Sequence, residues 1–309
     1  MNILMKKIFL LLMMMWMVKG YSQDFNPQWI AYPQVDSTSQ IWFRRQIDFP
    51  QRPVYATIDV VTSGKISLFV NERNVSTAQW MPSRMENDNQ PVCISLDITR
   101  FLQQGSNTIA IWYAPGFEHL NEKQIAVSVV GKMKDNTKVG MTSDNQWLTH
   151  RANVTLLDEG RELLDANSYP MKWNSEDIDW ATWISARMVS SQLESIKYYL
   201  SSYPAEKRSK TFIPRYFDVV GDSVYYQFDK TFRGQVRVTL RNAKRCERIN
   251  INGLEYVCTG ETDEQACRQM TVSDYKRVLI YGDKNFKKDQ IQAVEGLEVV
   301  PYIHNSYQY

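Results

Sequence analysis

Short runs of alternating apolar and polar residues fill the first half of the chain. They are rich in β-branched and aromatic residues and span residues 39–49, 54–61, 65–70, 108–113 and 123–133. Turn-forming residues such as Ser63 and Gly64 separate them. Several short strands at close, regular spacing are typical of an antiparallel sandwich. We therefore predict a jelly-roll β-sandwich over residues 23–140.

The pattern is less regular between residues 141 and 205, where tryptophans are frequent. Ser175, followed by two acidic residues, favours a helix start. A hydroxyl accepts hydrogen bonds from free amides, and carboxylates suit the positive end of a helix. Trp180 and Trp183 are three residues apart and would share one helix face. We predict a tryptophan-rich connecting segment that packs on the sandwiches and contains one short helix.

Strand patterns resume after residue 206. The runs 212–217, 223–228, 235–240, 248–251 and 277–281 are separated by glycines. They predict a second sandwich over residues 206–309. The expected fold class is therefore all-β, with two jelly-roll, galactose-binding-like sandwich domains joined by the irregular segment.

The chain opens with the features of a secretory signal peptide. Two lysines precede an unbroken apolar run over residues 8–18, and Ser22 stands where a signal peptidase reads a small residue. The run is too short to cross a bilayer, which takes about 20 apolar residues. We predict that residues 1–22 are removed and that the protein is exported to the periplasm or beyond, with an uncleaved anchor as the alternative. No cysteine precedes Cys93, so a lipoprotein anchor is not expected.

The net charge and the cysteines limit which classes of partner and metal site are expected. Without the leader's three lysines, the formal net charge falls from +2 to −1. A nearly neutral chain has little electrostatic reason to bind nucleic acid or an anionic membrane, and neither is expected as a partner. The four cysteines, Cys93, Cys246, Cys258 and Cys267, match no zinc-binding spacing. In an exported protein the three later ones could form one disulfide, and buried free thiols are the alternative.

The stretches KISLFVN (65–71), WMP (80–82), SLDIT (95–99) and GSN (105–107) follow one another in the first half. Their order resembles the non-catalytic jelly roll at the front of bacterial α-L-rhamnosidases of glycoside hydrolase family 78. In that family the first stretch ends in an Asn-Gly turn, whereas here Glu72 replaces the glycine.

The later blocks are similar to that family as well. GRELLDA (160–166) looks like its Gly-Glu-x-x-Asp-Ala element with one arginine inserted, and DIDWATW (177–183) looks like the tryptophan-containing turn behind it. VYYQFD (224–229) and GETDE (260–264) resemble parts of its second sandwich. The resemblance covers residues 40–285 and implies two sandwich modules.

The family's catalytic carboxylates belong to a helical barrel that follows the sandwiches. One carboxyl group protonates the leaving oxygen and the other activates water. This chain ends at Tyr309, about where that barrel would begin. We therefore expect the barrel to be absent, and the resemblance assigns a catalytic role to no residue.

Two acidic clusters are the remaining candidates for acid–base chemistry. Glu261, Asp263 and Glu264 could provide a carboxylate pair, but a solvated turn between strands is the favoured interpretation. The second cluster comprises Asp158, Glu159, Glu162 and Asp165 and indicates a charged surface. Within it, Asp165 is also a candidate for pinning the next loop. No Gly-x-Ser-x-Gly, HExxH or phosphate-loop motif occurs, and three histidines leave little for a catalytic triad.

Sugar binding needs an aromatic face and a few planar polar groups. Trp80, Trp112 and Tyr113 are the aromatic candidates near the loop end of the predicted jelly roll, and Asn71 and Glu118 are the polar ones. For each aromatic residue taken alone, core packing is the favoured interpretation. It applies most of all to Trp112, which alternates with apolar residues on its strand.

Some jelly rolls of the family are similar to calcium-dependent rhamnose-binding modules. No calcium ligand can be matched here residue by residue, so calcium stays open and no other cofactor is expected. The favoured function is an exported, non-catalytic carbohydrate-binding or accessory protein, with a rhamnose-containing glycan as ligand. An α-L-rhamnosidase-like glycoside hydrolase is the first alternative, and a structural envelope protein that contacts a protein partner is the second.

Overall fold

The computed structural model describes residues 28–34, 38–83, 90–115, 123–168, 172–190, 196–199 and 202–305. These residues are mostly β-strand, and their helical elements are short, which confirms the all-β prediction. No helix in these ranges combines the length and the apolarity that crossing a bilayer requires. The predicted signal peptide lies outside the described residues.

Strands β1 to β22 are numbered in chain order. Their bounds are β1 Trp29–Ala31, β2 Ser39–Phe49, β3 Tyr55–Thr62, β4 Lys65–Val70, β5 Arg73–Asn74, β6 Val92–Asp97, β7 Gly105–Ala114, β8 Gln124–Lys132, β9 Lys138–Thr142, β10 Leu148–Leu156, β11 Glu162–Asp165, β12 Ile184–Ser185, β13 Arg187–Val189, β14 Lys197–Tyr199, β15 Ser202–Phe212, β16 Tyr216–Val220, β17 Ser223–Leu240, β18 Arg248–Ile251, β19 Leu254–Val257, β20 Glu264–Cys267, β21 Ser273–Gly282 and β22 Ile291–Asn305. Short 3-10 helices lie at Thr99–Phe101, Asp158–Gly160, Ala166–Ser168, Trp180–Thr182 and Lys288–Gln290.

Two layers of strands form the first sandwich. One layer has the order β13-β1-β8-β3-β6-β14, with β9 beside β8, and the other is the β10-β2-β7-β4-β5 end of a larger sheet. Alternation along β2 explains the packing, because Ile41 and Phe43 enter the inner core while Trp42 joins a cluster on the opposite face. Ile58 of β3 and Ile125 of β8 contribute to the core from the facing layer.

The second sandwich is built around β17, a strand of 18 residues. The N-terminal half of β17 pairs with β16 and β21, and its C-terminal half pairs with β20 and β22. The apolar core of this sandwich is separate from that of the first and includes Phe228, Val238, Ile249, Ile251 and Ile280.

A parallel strand pair joins the two sandwiches into one continuous sheet. β10 pairs antiparallel with β2 and with β11, and β11 pairs in parallel with β19, so that Glu162 lies opposite Leu254. β10 and β11 fall within the segment predicted to be irregular, yet both are regular strands. Their hydrogen-bonding partners are β2, which precedes the segment in sequence, and β19, which follows it. A local sequence pattern does not show such long-range pairings.

The predicted short helix is a single 3-10 turn at Trp180–Thr182. Asp179 caps it in place of Ser175, because the Asp179 carboxylate accepts a hydrogen bond from the backbone N–H of Ala181 at 3.0 Å. The Ser175 hydroxyl donates instead to the carbonyl of Asp177. The helix stays short because β12 pairs with β10 directly after it.

All the cysteines are unpaired, so of the two alternatives the structure has free thiols. Burial raises the pKa of the Cys93 thiol to about 12 and that of Cys267 to about 11. Cys246 is exposed and has a positive φ of 66°. Its N–H donates to the carbonyl of Cys258 at 2.8 Å, and the N–H of Cys258 donates to the carbonyl of Glu247. Cys246 and Glu247 thus lie opposite Cys258, as in a β-bulge.

Candidate functional site

A cleft with a volume of about 720 Å³ opens where the two sandwiches meet. β7, β10 and β11 supply one wall, which includes Trp112, Asn153 and Leu164. The second sandwich supplies the other wall, which includes Arg245 and Gln265. The remaining lining residues are Ala166, Asn167, Thr259, Glu261 and Gln269. An aromatic ring surrounded by planar polar groups is the kind of surface on which sugar rings bind.

Alternation along β7 places Trp112 at the cleft. Ile111 and Tyr113 enter the inner core, so Trp112 projects from the opposite face of the sheet. Three indoles hold its ring in near-perpendicular contacts, those of Trp42, Trp80 and Trp173 at centroid distances of 5.8, 5.5 and 5.9 Å. Trp112 was the aromatic candidate most expected to be core. It is instead half-buried, because the face opposite the inner core meets the second sandwich.

Trp80 lies behind Trp112. Its side chain is only 4% exposed, and its indole N–H donates to the carbonyl of Gln269. The backbone of Trp80 also forms an antiparallel bridge with Glu206. Trp80 therefore supports the cleft at the junction of the sandwiches, and it does not present an open stacking face.

The structure places Tyr113 and Asn71 away from the cleft. Tyr113 is 1% exposed in the inner core, with its hydroxyl 3.0 Å from the Ser63 hydroxyl. The Asn71 amide donates to the carbonyl of Phe101 and to Asn107 Oδ1, both at 2.9 Å, which closes a turn. The left-handed backbone of Asn71, with φ of 49°, also explains an asparagine at this position. Glu118 lies outside the described residues.

Asn153 was not predicted from the sequence. The register between β10 and β2 shifts between Arg151 and Thr155, and such irregularities re-aim side chains. Asn153 Oδ1 and Trp112 Nε1 are both buried without a hydrogen-bond partner among the described residues. Buried polar atoms of this kind are commonly satisfied by ordered water or by a ligand. An asparagine in a strand carries no local signal for this role.

A chain of hydrogen bonds orients Arg245 at the cleft. The Asp165 carboxylate accepts from the backbone N–H of Asn167 at 3.0 Å and from the Ser168 hydroxyl at 2.8 Å, which confirms that Asp165 pins the next loop. The Asn167 amide then donates to the carbonyl of Cys258 at 2.7 Å. Arg245 Nε donates to Asn167 Oδ1 at 3.1 Å. The guanidinium is therefore held from one side and open on the other.

Glu162 was expected on a charged surface, and this expectation is wrong. The side chain is fully buried, and its carboxylate accepts from the backbone N–H groups of Gln269 and Met270 at 2.8 and 2.9 Å. It also accepts from the backbone and the hydroxyl of Thr271. The parallel pairing of β11 with β19 brings this carboxylate under the 269–271 loop, and Gln269 of that loop lines the cleft.

The predicted carboxylate cluster does not converge on a pocket. Glu264 is 8% exposed, so the solvated-turn interpretation is wrong for it, and it accepts from the Tyr256 hydroxyl at 2.9 Å and from the backbone of Thr259 at 2.8 Å. Burial, followed by the charge of Glu264, raises the pKa of Tyr256. Asp263 is bound by Arg241 through two hydrogen bonds of 2.8 and 2.9 Å, which lower the pKa of Asp263. Only Glu261 of the cluster lines the cleft.

Metal ligands do not gather in the part of the chain that the structure describes. No group of three or more His, Cys, Asp or Glu side chains is arranged there to hold an ion. The amide, guanidinium and carboxylate side chains that line the cleft can form hydrogen bonds with hydroxyl groups of a ligand.

Known proteins are similar to this chain in sequence and in fold. Residues 51–202 match the family model described as the α-L-rhamnosidase N-terminal domain. An α-L-rhamnosidase of Formosa agariphila is 23% identical over 199 residues, which are 59% of this chain and 21% of that enzyme. The chain thus spans about a fifth of the length of this curated relative.

Two solved structures share the fold. The α-L-rhamnosidase from Dictyoglumus thermophilum has a TM-score of 0.78 and 18% identity, covering 90% of this chain and 36% of that one. The Streptomyces avermitilis α-L-rhamnosidase complexed with L-rhamnose has a TM-score of 0.73 and 16% identity, covering 88% of this chain and 29% of that one. The resemblance inferred from the motifs is confirmed, because residues 51–202 match the α-L-rhamnosidase N-terminal domain and solved α-L-rhamnosidases share the fold of the chain.

Proposed function

We propose that this protein is an exported, non-catalytic carbohydrate-binding or accessory module that binds a glycan in the cleft between its two sandwiches. The observation that carries the proposal is the lining of that cleft. It combines the Trp112 indole with the planar polar groups of Asn167, Arg245, Glu261 and Gln265. Aromatic rings stack on the C–H faces of pyranoses, and planar amides, guanidinium and carboxylate groups bind their hydroxyls.

The carboxylates favour binding over hydrolysis. Glycoside hydrolysis needs two carboxyl groups roughly 5–10 Å apart that are free to transfer protons or attack the sugar. Glu264 is occupied by its hydroxyl and backbone donors, and Asp263 is occupied by Arg241. Glu261 alone faces the cleft from this cluster.

The relatives suggest which glycan to test first. The similar proteins are α-L-rhamnosidases, and one was solved with L-rhamnose. These solved relatives are 18% and 16% identical to this chain and share its fold. Rhamnose-containing glycans are therefore the first candidates, and the predicted signal peptide would deliver the protein to a compartment where such glycans occur.

Affinity electrophoresis of the chain from Gln23 onward, through gels containing rhamnose-rich polysaccharides with and without calcium, tests this proposal. Gln265→Trp places a large ring in the cleft at an exposed position, and we expect it to weaken binding by about tenfold or more. Gln292→Trp is the matched control, since Gln292 is an exposed strand residue that does not line the cleft. Circular dichroism of both variants checks that they fold.

Three results would count against the proposal. Absence of binding to every glycan tested would reject the binding function. Binding that Gln265→Trp leaves intact would reject the cleft as its site. Turnover of aryl rhamnosides by the purified chain would reject the non-catalytic role.

A role in protein contact is the second candidate, and strand β16 favours it. All five residues of β16 are exposed, including Phe217 at 58% and Val220 at 61%. Among the described strands β16 pairs with β17 alone, which leaves an apolar edge of the kind that adds strands from another chain. Sedimentation of the wild type and of Phe217→Asp tests self-association through this edge. Equal, monomeric masses for both would reject it.

A further inference from the structure

We infer that the cleft between the sandwiches selects uncharged glycans and discriminates against acidic ones. The inference rests on the proposed function and goes on to name the ligand class. Its basis is one pair of opposite charges, Arg245 and Glu261, which line the same cleft. Neither side chain takes part in an ion pair among the described residues, although both are exposed. Among the described lining residues, the cleft therefore presents one cation and one anion that take part in no ion pair.

Arg245 is prepared to bind hydroxyl groups. Its Nε is fixed by Asn167 Oδ1 at 3.1 Å, so the plane of the guanidinium is set while its terminal nitrogens stay open to the cleft. A guanidinium presents parallel N–H donors that match either two neighbouring hydroxyls or one carboxylate. Arg245 alone would thus accept both neutral and acidic sugars.

Glu261, with the nearby carboxylate of Glu264, decides between neutral and acidic sugars. The backbone N–H of Glu261 donates to the Thr259 hydroxyl at 3.1 Å, while its side chain faces solvent at the cleft. Glu264 lies beneath the same turn, where hydrogen bonds from neutral groups hold its carboxylate. The nearby cation Arg241 is occupied by Asp263. An acidic ligand at this turn would meet the Glu261 carboxylate, which has no ion-pair partner among the described residues, with the buried Glu264 carboxylate behind it.

Uncharged sugars suit both groups at once. A hydroxyl can accept from Arg245 and donate to Glu261, whereas a carboxylate or sulfate can only accept. The other polar residues of the lining are neutral, namely Asn153, Asn167, Thr259, Gln265 and Gln269. A carboxylate or sulfate would gain one attraction and incur repulsion, which is how charge complementarity rejects the wrong ligand.

A matched pair of ligands tests the inference. One is a rhamnose-containing polysaccharide with uronic acids, and the other is the same polymer after its carboxyl groups are reduced to alcohols. We expect the wild type to prefer the reduced polymer by about two- to fivefold at low salt, the size of an exposed charge interaction. Glu261→Gln should remove most of that preference by strengthening binding of the acidic polymer. Glu176→Gln removes an exposed carboxylate outside the cleft and should leave the preference unchanged.

Arg245→Gln should act in the opposite direction and weaken the acidic polymer further. High salt should reduce the difference in affinity between the acidic and the reduced polymer, because screening weakens exposed charge interactions. A wild type that binds the acidic polymer more tightly, or a Glu261→Gln preference equal to that of Glu176→Gln, would overturn the inference and leave glycan binding in place. No binding of either polymer would overturn the proposed function itself.

Discussion

Glu162 should be one of the most sensitive positions in the protein. Its buried carboxylate accepts four hydrogen bonds from residues 269–271. Glu162→Gln keeps one acceptor oxygen but replaces the other with an amide NH2. If that NH2 replaces Oε2, it would face the backbone N–H of Gln269, which now lies 2.8 Å from Oε2. A buried donor left without an acceptor costs about 1–3 kcal/mol, and the remaining bonds lose their charge assistance. We expect a loss of about 3 kcal/mol in the free energy of unfolding.

Urea unfolding followed by tryptophan fluorescence measures this loss. Trp80 donates to Gln269 and packs on Trp112, so the fluorescence reports on the junction that Glu162 holds. Glu159→Gln is the control, because Glu159 is an exposed carboxylate three residues away in sequence. It should change the free energy by less than about 0.5 kcal/mol, as is usual at the surface. Equal, small effects of both substitutions would show that Glu162 does not hold the junction.

Three further predictions concern two backbone positions and one half-buried acid, Asp59. Cys246→Gly should stabilise the fold by about 0.5–1 kcal/mol in urea unfolding, because glycine relieves the positive φ of 66°; a loss would contradict this. Gly234→Ala should cost about 2–3 kcal/mol, since a methyl group there collides with the carbonyl of Leu297, whereas Gly140→Ala meets only ordinary contacts and should cost less. Burial raises the pKa of Asp59, so the stability linked to its protonated form is present at low pH and is lost as the pH rises through the raised pKa. Asp59→Asn should therefore raise the urea midpoint at pH 7 and not at pH 3; an equal gain at both would refute the burial effect.

Local sequence predicted the parts of this fold that depend on neighbouring residues. The alternation in β2 and β7 follows from strand geometry, since successive side chains point to opposite faces. The turn implied by the family resemblance at the end of the stretch 65–71 is present, and Asn71 tolerates its left-handed backbone. The role of Asp165 was also foreseen, because an aspartate that accepts from an N–H two residues later is a local motif.

The helix start shows the limit of such reasoning. Ser175 and Asp179 are both ordinary capping residues, and the sequence does not say which of them meets free amides. The pairing of β12 with β10 fixes where the turn begins and ends, and so selects Asp179. Propensity thus predicted the presence of a short helix, and tertiary packing set its position.

The candidate site depended on tertiary structure almost throughout. Trp112, Asn167 and Arg245 come from distant parts of the chain, and the parallel pairing of β11 with β19 joins the two sandwiches that carry them. The same pairing buries Glu162, which in sequence looks like its exposed neighbour Glu159. The sequence by itself determined strands such as β2 and β7, the sandwich class and the family motifs, because these follow from side-chain alternation and local turns. The tertiary structure decided which polar residues are buried and which face the cleft, because burial depends on strands that are far apart in the chain.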